Sequence, residues 1–192
     1  MKAFCERIRR EGRVLPGNII KVDGFLNHRV DVKLMGDLAD EFMRRFDTSG
    51  VTAVVTVEAS GIALATVCAE RIGVPLIFAK KAKSDNIEGG LYQSDIFSYT
   101  YHRKVTLIMS AQWLTSSDKV LIIDDFLANG EALRGLVEII GQSGAELVGI
   151  GVAVEKGFQP GGAKLRAAGY HLESLAIIES ADENGFVFRD EV

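Results

Sequence analysis

The stretch KVLIIDDFLANGEA, residues 119–132, constrains the fold of this 192-residue chain more than any other segment. Its apolar run, VLII, is rich in β-branched residues and short enough for a buried strand of a parallel sheet. Asp124 and Asp125 follow at once, where the strand is expected to emerge, and a small-residue turn at 128–130 leads into a predicted helix at 131–142. Helix N-termini bind phosphate through free backbone N–H groups, whereas carboxylates bind hydroxyl groups or a magnesium ion. A site with both features is suited to a phosphorylated sugar.

A second segment repeats this order of strand, turn and helix. An apolar strand is predicted at 51–57, a small-residue turn follows at 58–61, and a helix is predicted at 62–72. Such a turn again directs backbone N–H groups towards an anion. Gly61 is equally consistent with a packing role, because a glycine turn alone is weak evidence for a ligand site.

Two further predicted strands, at 76–79 and 146–154, end close to Lys81 and Lys156. Strands that alternate with helices indicate an α/β fold with a mainly parallel sheet flanked by helices. Ligands of such sheets bind beyond the carboxyl ends of the strands, so we expect the residues there to converge on one rim. These residues are Glu58, Lys81, Asp124 and Lys156. Lysines at such a rim suit a diphosphate, although a lysine run is commonly only a solvated surface.

Four motifs resemble those of the type I phosphoribosyltransferases. VLIIDDFLANGEA is similar to the phosphoribosyl-diphosphate motif of that family, in which a hydrophobic strand and an acidic pair precede a phosphate loop. Most members have hydroxyl residues in this loop, whereas ANGEA has the form of the bacterial xanthine phosphoribosyltransferases. KVDGFLNH, TVEASGI and VEKGFQPG resemble segments of the same enzymes in the same order, so the similarity covers nearly the whole chain.

The resemblance implies a single phosphoribosyltransferase domain over residues 1–192 with the type I fold. Segments 1–30 and 157–192 would form a small purine-binding hood, and 81–104 a flexible lid. The lid segment is a long polar connection, a kind that in compact domains is either functional or disordered. Strand-forming residues from position 95 onwards predict that part of it is a β-hairpin. At that position a lid would close over the reacting sugar and exclude water.

The implied activity is transfer of the 5-phosphoribosyl group from 5-phosphoribosyl 1-diphosphate to xanthine, giving xanthosine monophosphate and diphosphate in purine salvage. The resemblance makes Asp124 and Asp125 the catalytic residues beside the ribose hydroxyls. It also implies Mg²⁺ as a cofactor, bound through the substrate and with Asp124 or Asp125 as its candidate protein ligand. Xanthine-binding residues are carried over onto Ile20, Asn27 and Lys156. Residues carried over for phosphoribosyl diphosphate are Ala128, Asn129, Gly130, Glu131, Ala132, Glu58, Ala59, Ser60, Gly61 and Lys81.

Base selectivity is expected to follow from hydrogen-bond polarity. Lys156 only donates, which favours a 6-oxopurine over adenine, whereas Asn27 donates and accepts and can recognise the second carbonyl of xanthine. Two alternatives remain open: the same fold acting on guanine or hypoxanthine, and a non-catalytic transcriptional regulator that binds a purine or phosphoribosyl diphosphate. The sequence carries no added helix-turn-helix segment, which disfavours the regulator.

Composition and charge argue against several other classes. The net charge of −4 disfavours a large nucleic-acid-binding face, and no stretch is apolar over the length that spans a bilayer. The N-terminus lacks a secretory apolar core, so we expect a cytoplasmic enzyme in which Cys5 and Cys68 are reduced thiols. We therefore expect no nucleic-acid or membrane partner. The resemblance implies a homodimer, because lids in the family commonly reach across a subunit boundary.

Overall fold

The computed structural model describes residues 1–81, 90–98, 103–183 and 185–189, which form five helices and ten strands. The helices are α1 (Lys2–Glu11), α2 (Val32–Arg45), α3 (Gly61–Ile72), α4 (Glu131–Ser143) and α5 (Gly161–Ala167). The strands are β1 (Arg13–Leu15), β2 (Ile19–Lys21), β3 (Ala53–Val57), β4 (Leu76–Ala79), β5 (Leu91–Ser98), β6 (Arg103–Ser110), β7 (Lys119–Leu127), β8 (Glu146–Lys156), β9 (Leu172–Asp182) and β10 (Gly185–Phe188).

A six-stranded sheet in the order β10-β9-β8-β7-β3-β4 forms the centre of the fold. All neighbours in it are parallel except β10, which pairs antiparallel with β9 at one edge. The predicted α/β fold with a mainly parallel sheet is therefore confirmed. Two antiparallel hairpins, β1–β2 and β5–β6, form separate two-stranded sheets, and an isolated antiparallel bridge between Lys80 and Ile108 links β6 to the residue after β4.

The core lies on both faces of the sheet, and the pattern along β7 shows why. Leu121 and Ile123 belong to the cluster formed with α1, α2 and α3, whereas Val120 and Ile122 belong to the cluster formed with α4. Successive side chains of a strand point to opposite faces, so a strand covered on both sides needs an unbroken apolar run.

In α3, burial raises the pKa of the Cys68 thiol to about 12 and keeps it protonated.

Helix α2 begins at a side-chain N-cap. The side chain of Asp31 accepts a hydrogen bond from the backbone N–H of Leu34 at 3.1 Å, and aspartate is one of the residues preferred at this position. Leu38 and Phe42 continue the buried stripe of this helix.

None of the described helices has the length and apolar character that crossing a membrane requires.

The hairpin β5–β6 packs on α4 rather than extending the central sheet. The side-chain amide of Gln142 accepts from the backbone N–H of Gln93 at 3.0 Å and donates to its carbonyl at 2.7 Å, as a neighbouring strand would. A β-carbon on Gly135 would lie 2.7 Å from a methyl group of Ile96, so glycine permits this close contact. The predicted hairpin is therefore present. Residues 82–89 and 99–102 of the predicted lid, and 184 and 190–192 of the predicted hood, lie outside the described residues.

Candidate active site

The acidic pair, Asp124 and Asp125, lies inside β7 rather than beyond its end. The sequence-based prediction of the strand end was wrong, because pairing with β8 continues through these residues to the last residue of β7. Pairing with β3 reaches only Ile122, so the acidic pair lies where β7 keeps one neighbour and diverges from the other. The two side chains are largely buried, with 4% of Asp124 and 5% of Asp125 exposed.

The carboxylate of Asp125 connects two other predicted site segments. Its Oδ1 atom accepts a hydrogen bond from the hydroxyl of Ser60 at 3.0 Å, and its Oδ2 atom accepts one from Nδ2 of Asn27 at 3.1 Å. Ser60 belongs to the 58–61 turn, whereas Asn27 lies between β2 and α2. The structure therefore brings the acidic pair, this turn and Asn27 together, although they are far apart in the sequence.

The carboxyl group of Asp124 lies in crowded, buried surroundings. Its Oδ1 atom accepts from the backbone N–H of Asp125 at 3.0 Å. A β-carbon on Gly61 would lie 2.4 Å both from this oxygen and from the hydroxyl oxygen of Thr56, so α3 can begin here only with glycine. Gly61 thus has the packing role that its sequence left open. Burial, followed by the negative charge of Asp125, raises the pKa of Asp124 well above its ordinary value.

The 58–61 turn is tied to the end of β4. The backbone N–H of Glu58 donates to the carbonyl of Ala79 at 3.0 Å, and Glu58 Oε1 accepts from the backbone N–H of Lys81 at 2.6 Å. The peptide bond between Glu58 and Ala59 is cis. The predicted neighbours Glu58 and Lys81 are therefore adjacent in the structure.

The small-residue turn at 128–130 connects β7 to α4. Gly130 has a φ of 86°, a left-handed conformation that glycine adopts without steric cost. The carbonyl of Ala128 accepts from the backbone N–H of Gly161 at 3.1 Å, and a β-carbon on Gly161 would lie 2.3 Å from that carbonyl oxygen. The turn therefore rests directly on the start of α5, a contact that we did not predict from the sequence.

A cavity of about 170 Å³ opens at this turn. It is lined by residues 126–133, which include all five residues predicted for the phosphate loop, and by Lys81, Ile96 and Phe97 from other elements. The first N–H groups of a helix have no partner within it, so the start of α4 supplies backbone donors to this cavity. The structure thus combines a lysine and a helix N-terminus at one concave surface.

The side chain of Glu131 does not face this cavity freely. Its Oε2 atom accepts from the backbone N–H of Phe97 at 3.3 Å and from Nη2 of Arg134 at 3.1 Å. Burial would raise the pKa of Glu131, but the hydrogen bonds and charge of Arg134 outweigh it, and the pKa is lowered. The carboxylate of Glu131 therefore holds strand β5.

Lys156, the last residue of β8, lies against the hairpin β1–β2. Its Nζ atom donates to the carbonyl of Asn18 at 3.4 Å, in the turn of that hairpin. Ile20 lies in β2 and is 8% exposed. Burial lowers the pKa of Lys156. The structure thus brings Lys156 to the hairpin that carries Ile20.

A buried ionic cluster beside Lys156 was missed from the sequence. Arg166 donates to both carboxylate oxygens of Glu155, at 2.8 and 2.7 Å, and the hydroxyl of Ser174 donates to the second of them. A β-carbon on Gly162 would lie 1.9 Å from Glu155 Oε1, so α5 approaches the carboxylate closely. The adjacent glycines 161 and 162, directly after a proline, were the available signal for such close contact.

A larger cavity, of about 570 Å³, lies between β4 and β6 and is formed by other residues. Its lining is mainly apolar, with Lys80 as its charged member, and it includes Phe78 and Trp113, which are 38% and 64% exposed. We place the candidate active site at the rim around Asp125 because charged and hydrogen-bonding groups converge there and not in this groove.

Comparisons with known proteins show which family the chain is related to. The model of the phosphoribosyl transferase domain family matches residues 23–168. The xanthine phosphoribosyltransferase of Lachnoclostridium phytofermentans is 48% identical over 191 residues, which cover 98% of each chain. That of Ruminiclostridium cellulolyticum is 49% identical over 185 residues, 96% of this chain and 97% of the relative.

Solved structures share the fold at lower sequence identity. The APRTase of Giardia lamblia, complexed with 9-deazaadenine, has a TM-score of 0.74 at 22% identity and covers 88% of this chain and 94% of its own. The adenine phosphoribosyl transferase of Trypanosoma brucei, in complex with AMP, pyrophosphate and ribose-5-phosphate, has a TM-score of 0.75 at 18% identity and covers 95% and 83%. These structural similarities show the fold, whereas the family model and the relatives at 48–49% identity show the family. The chain belongs to the phosphoribosyltransferase family.

Proposed function

We propose that this protein transfers the 5-phosphoribosyl group of 5-phosphoribosyl 1-diphosphate to xanthine in purine salvage. The reaction yields xanthosine monophosphate and diphosphate. The observation that carries the proposal is the set of hydrogen bonds at Asp125. This residue lies on β7, the strand that leads to the 128–130 turn, and its carboxylate binds both Ser60 and Asn27. The name shared by relatives that are 46–49% identical supports xanthine as the base.

The 5-phosphate is proposed to bind at the 128–132 loop, in the cavity at the start of α4. Ala128, Asn129, Gly130 and Ala132 contribute backbone N–H groups, and Glu131 does the same because its carboxylate is held by β5. A phosphate bound there is a fixed handle remote from the reacting carbon. Such positioning contributes about 7–11 kcal/mol in well-oriented systems.

The diphosphate is proposed to bind at the 58–61 turn. Backbone N–H groups of Ala59, Ser60 and Gly61, with the ammonium group of Lys81, stabilise the charge that develops on the leaving group. Glu58, whose own N–H is bound to Ala79, contributes by holding the turn against Lys81. Support comes from the Glu58–Lys81 hydrogen bond of 2.6 Å, which fixes these two elements side by side.

Asp124 and Asp125 are proposed to lie beside the ribose. The sugar carbon becomes cationic in an oxocarbenium-like transition state, as in glycoside transfer. Nearby carboxylates favour that charge and orient the ring through its hydroxyls. Strongly perturbed pKa values cluster at functional sites, and the raised pKa of Asp124 supports this placement.

Phosphoribosyltransferases generally use Mg²⁺ with the sugar diphosphate, and the residues present fit this ion. Among the described residues no group of three or more His, Cys, Asp or Glu side chains could hold a metal ion. Mg²⁺ usually binds through one or two carboxylates together with substrate phosphates, and the acidic pair meets that need. Asp124 or Asp125 would be the protein ligand, and the bound ion would neutralise part of the diphosphate charge.

The base is proposed to bind between Ile20, Asn27 and Lys156. Lys156 donates to an acceptor on the purine, which favours 6-oxopurines, and Asn27 recognises the 2-oxo group. The contact between Lys156 and the turn of the β1–β2 hairpin supports a hood made of 1–30 and 157–192. We likewise assign the lid to 81–104, whose described part rests on α4.

The active form is proposed to be a cytoplasmic homodimer. Support comes from the exposed Phe78 on β4, which is the edge strand of the central sheet, and from the exposed Trp113 in the same groove. Large apolar patches and open sheet edges are commonly covered by a partner. Light scattering after gel filtration, on the wild type and on Trp113→Glu, would test whether this face joins two copies.

Turnover with the four purines tests the proposal. Xanthine, guanine, hypoxanthine and adenine are each mixed with the sugar diphosphate, with and without Mg²⁺, and diphosphate release is measured. We expect xanthine to have the highest kcat/KM, and adenine and the metal-free reactions to be slow. A higher kcat/KM for guanine or hypoxanthine would identify that base, and not xanthine, as the substrate. Binding without turnover of any base would favour a regulator.

Lys156→Ala tests the role of the base-binding lysine. We expect a large loss of kcat/KM for xanthine with little loss of thermal stability, because the half-buried ammonium group makes few structural contacts. Lys33→Ala, on the exposed face of α2 where the lysine pairs with Asp37, is the matched control and should leave both unchanged. Equal losses of activity and stability in Lys156→Ala would contradict the role.

A further inference from the structure

Thr56 is a buried polar residue whose hydroxyl group makes no hydrogen bond to any described residue. Its side chain is 0% exposed, and the Oγ1 atom is enclosed without a donor or an acceptor partner. The other residues of β3 are alanine and valine. A buried hydroxyl without a partner destabilises the folded state, so such a group in a native structure calls for an explanation, and a role in catalysis is one.

The hydroxyl of Thr56 faces the carboxyl group of Asp124 across the start of α3. A β-carbon built on Gly61 would lie 2.4 Å from Thr56 Oγ1 and 2.4 Å from Asp124 Oδ1, so both oxygens border the gap that the glycine leaves. The pairing of β3 with β7 stops one residue before Thr56, at Val55 and Ile122. The two strands diverge from this point, and Thr56 and Asp124 lie where they separate.

The chemistry of the two groups allows a hydrogen bond in one direction. A carboxylate only accepts, whereas the hydroxyl of threonine donates and rotates to suit its partner. Oδ1 of Asp124 accepts from the backbone N–H of Asp125 at 3.0 Å, and a carboxylate oxygen can accept a further hydrogen bond. Thr56 is thus a donor without an acceptor, beside an acceptor with unused capacity.

We propose that Thr56 is a positioning residue for the transfer reaction, which donates a hydrogen bond to Asp124 as the transition state forms. This inference rests on the proposed function, in which Asp124 lies beside the ribose and favours the positive charge on its carbon. The added hydrogen bond fixes the carboxylate as it aligns with that carbon. Because the bond forms only on the way to the transition state, it raises kcat without tightening the binding of the substrates.

Thr56→Val tests the proposal, because it removes the hydroxyl and keeps the branched shape. We expect kcat, measured by diphosphate release with xanthine, to fall by about tenfold, the effect of one hydrogen bond to a charged group. KM for 5-phosphoribosyl 1-diphosphate should stay within about twofold. Tm should rise by about 2–4 °C, because the buried hydroxyl without a partner is gone. A purely structural threonine would not combine lost activity with gained stability.

Thr52→Val is the matched control, directly before the start of the same strand. The hydroxyl of Thr52 has a partner, since its Oγ1 atom donates to Oδ1 of Asp118 at 2.8 Å. Removing this satisfied hydroxyl should lower Tm and leave kcat unchanged. The two threonine-to-valine changes are therefore expected to shift Tm in opposite directions, and only Thr56→Val should slow the reaction.

A second pair of variants separates the hydroxyl of Thr56 from the packing of its methyl group. Thr56→Ser and Thr56→Ala both lose the methyl group, but only Thr56→Ser keeps a hydroxyl. Its kcat should exceed that of Thr56→Ala by about tenfold, even if both variants melt below the wild type.

Three results would overturn the inference: equal kcat values for Thr56→Ser and Thr56→Ala, an unchanged kcat in Thr56→Val, or a lower Tm in Thr56→Val. The last would show that the hydroxyl is already bonded in the resting fold. If the wild type releases no diphosphate with any purine, the proposed function fails and the inference fails with it. The activity of the wild type therefore distinguishes the two failures.

Discussion

Removing Arg166 should show how much the buried cluster beside Lys156 contributes to the free energy of unfolding. Glu155 is 1% exposed, and Arg166 binds both of its carboxylate oxygens. In Arg166→Ala the carboxylate would retain the hydroxyl of Ser174 but lose its countercharge. A buried charge without its partner is the unfavourable state that we expect to dominate the effect.

The size of the loss follows from burial. Breaking a fully buried ion pair by removing one partner costs about 3–5 kcal/mol. The side chain of Arg166 is 33% exposed, so water would replace part of the lost interaction. We therefore expect a loss of about 2–3 kcal/mol in the free energy of unfolding. In a chain of 192 residues this corresponds to a fall in Tm of about 4–12 °C.

The pH dependence gives a second signature. In the wild type, burial would raise the pKa of Glu155, but hydrogen bonds from Arg166 and Ser174 and the charge of Arg166 outweigh it, so the pKa lies below 4.5. The resulting stabilisation is present at neutral pH and is lost only as the pH falls through that lowered pKa. In Arg166→Ala burial dominates and raises the pKa of Glu155. The variant should therefore gain relative stability as the pH falls from 7 towards 5, because its folded state then binds the extra proton.

Thermal melts between pH 5 and 8 would measure both effects. Arg44→Ala is the matched control, because Arg44 pairs with Glu41 at the surface and its side chain is 65% exposed. This control should lower the free energy of unfolding by no more than about 1 kcal/mol. Adding Glu155→Gln to Arg166→Ala removes the buried charge and should restore part of the stability. The reasoning is refuted if Arg166→Ala melts like the control, or if its deficit widens at low pH.

Three further substitutions test the packing around the site. Gly61→Ala would place a β-carbon 2.4 Å from a carboxylate oxygen of Asp124, so we expect a loss of about 1–3 kcal/mol in stability together with most of the activity, measured by melts and by diphosphate release. Asp124→Asn should raise Tm by about 2–4 °C while turnover falls, because it removes a carboxyl group whose burial destabilises the charged form and raises its pKa. An unchanged or lower Tm would argue that burial of this carboxyl group does not destabilise the fold. Gly135→Ala should destabilise the fold despite better helix propensity, since its β-carbon would meet Ile96 at 2.7 Å, whereas Gly141→Ala in the same helix has open space and should stabilise it by about 1 kcal/mol.

Much of the fold was predictable because local rules and tertiary structure agree. The apolar run before Asp124 gave a central strand, Asp31 capped α2, and the alternation of strands with helices gave a parallel sheet. The end of β7 was not predictable from local pattern. Two aspartates normally indicate that a strand has left the core, but pairing with β8 and partners at both oxygens of Asp125 keep them inside.

The candidate site was predictable as a set of segments but not as a network. Residues after β3, β4 and β7 were expected at one rim because parallel strands end at the same edge. The contact between Asn27 and Asp125 spans 98 positions, and no periodicity or motif spacing encodes such a bond. For Glu131 the sequence predicted its position at the start of α4, but not that its carboxylate binds the backbone of strand β5. The pairing of Glu155 with Arg166 depends on the packing of α5 and likewise required coordinates.

The most direct test of the central claim is a crystal structure of the protein with Mg²⁺, 5-phosphoribosyl 1-diphosphate and an unreactive xanthine analogue. The account predicts that the 5-phosphate accepts hydrogen bonds from backbone N–H groups of residues 128–132, that the ribose lies beside Asp124 and Asp125, and that the base contacts Asn27 and Lys156. A sugar diphosphate bound elsewhere, for example in the groove beside Trp113, would contradict it.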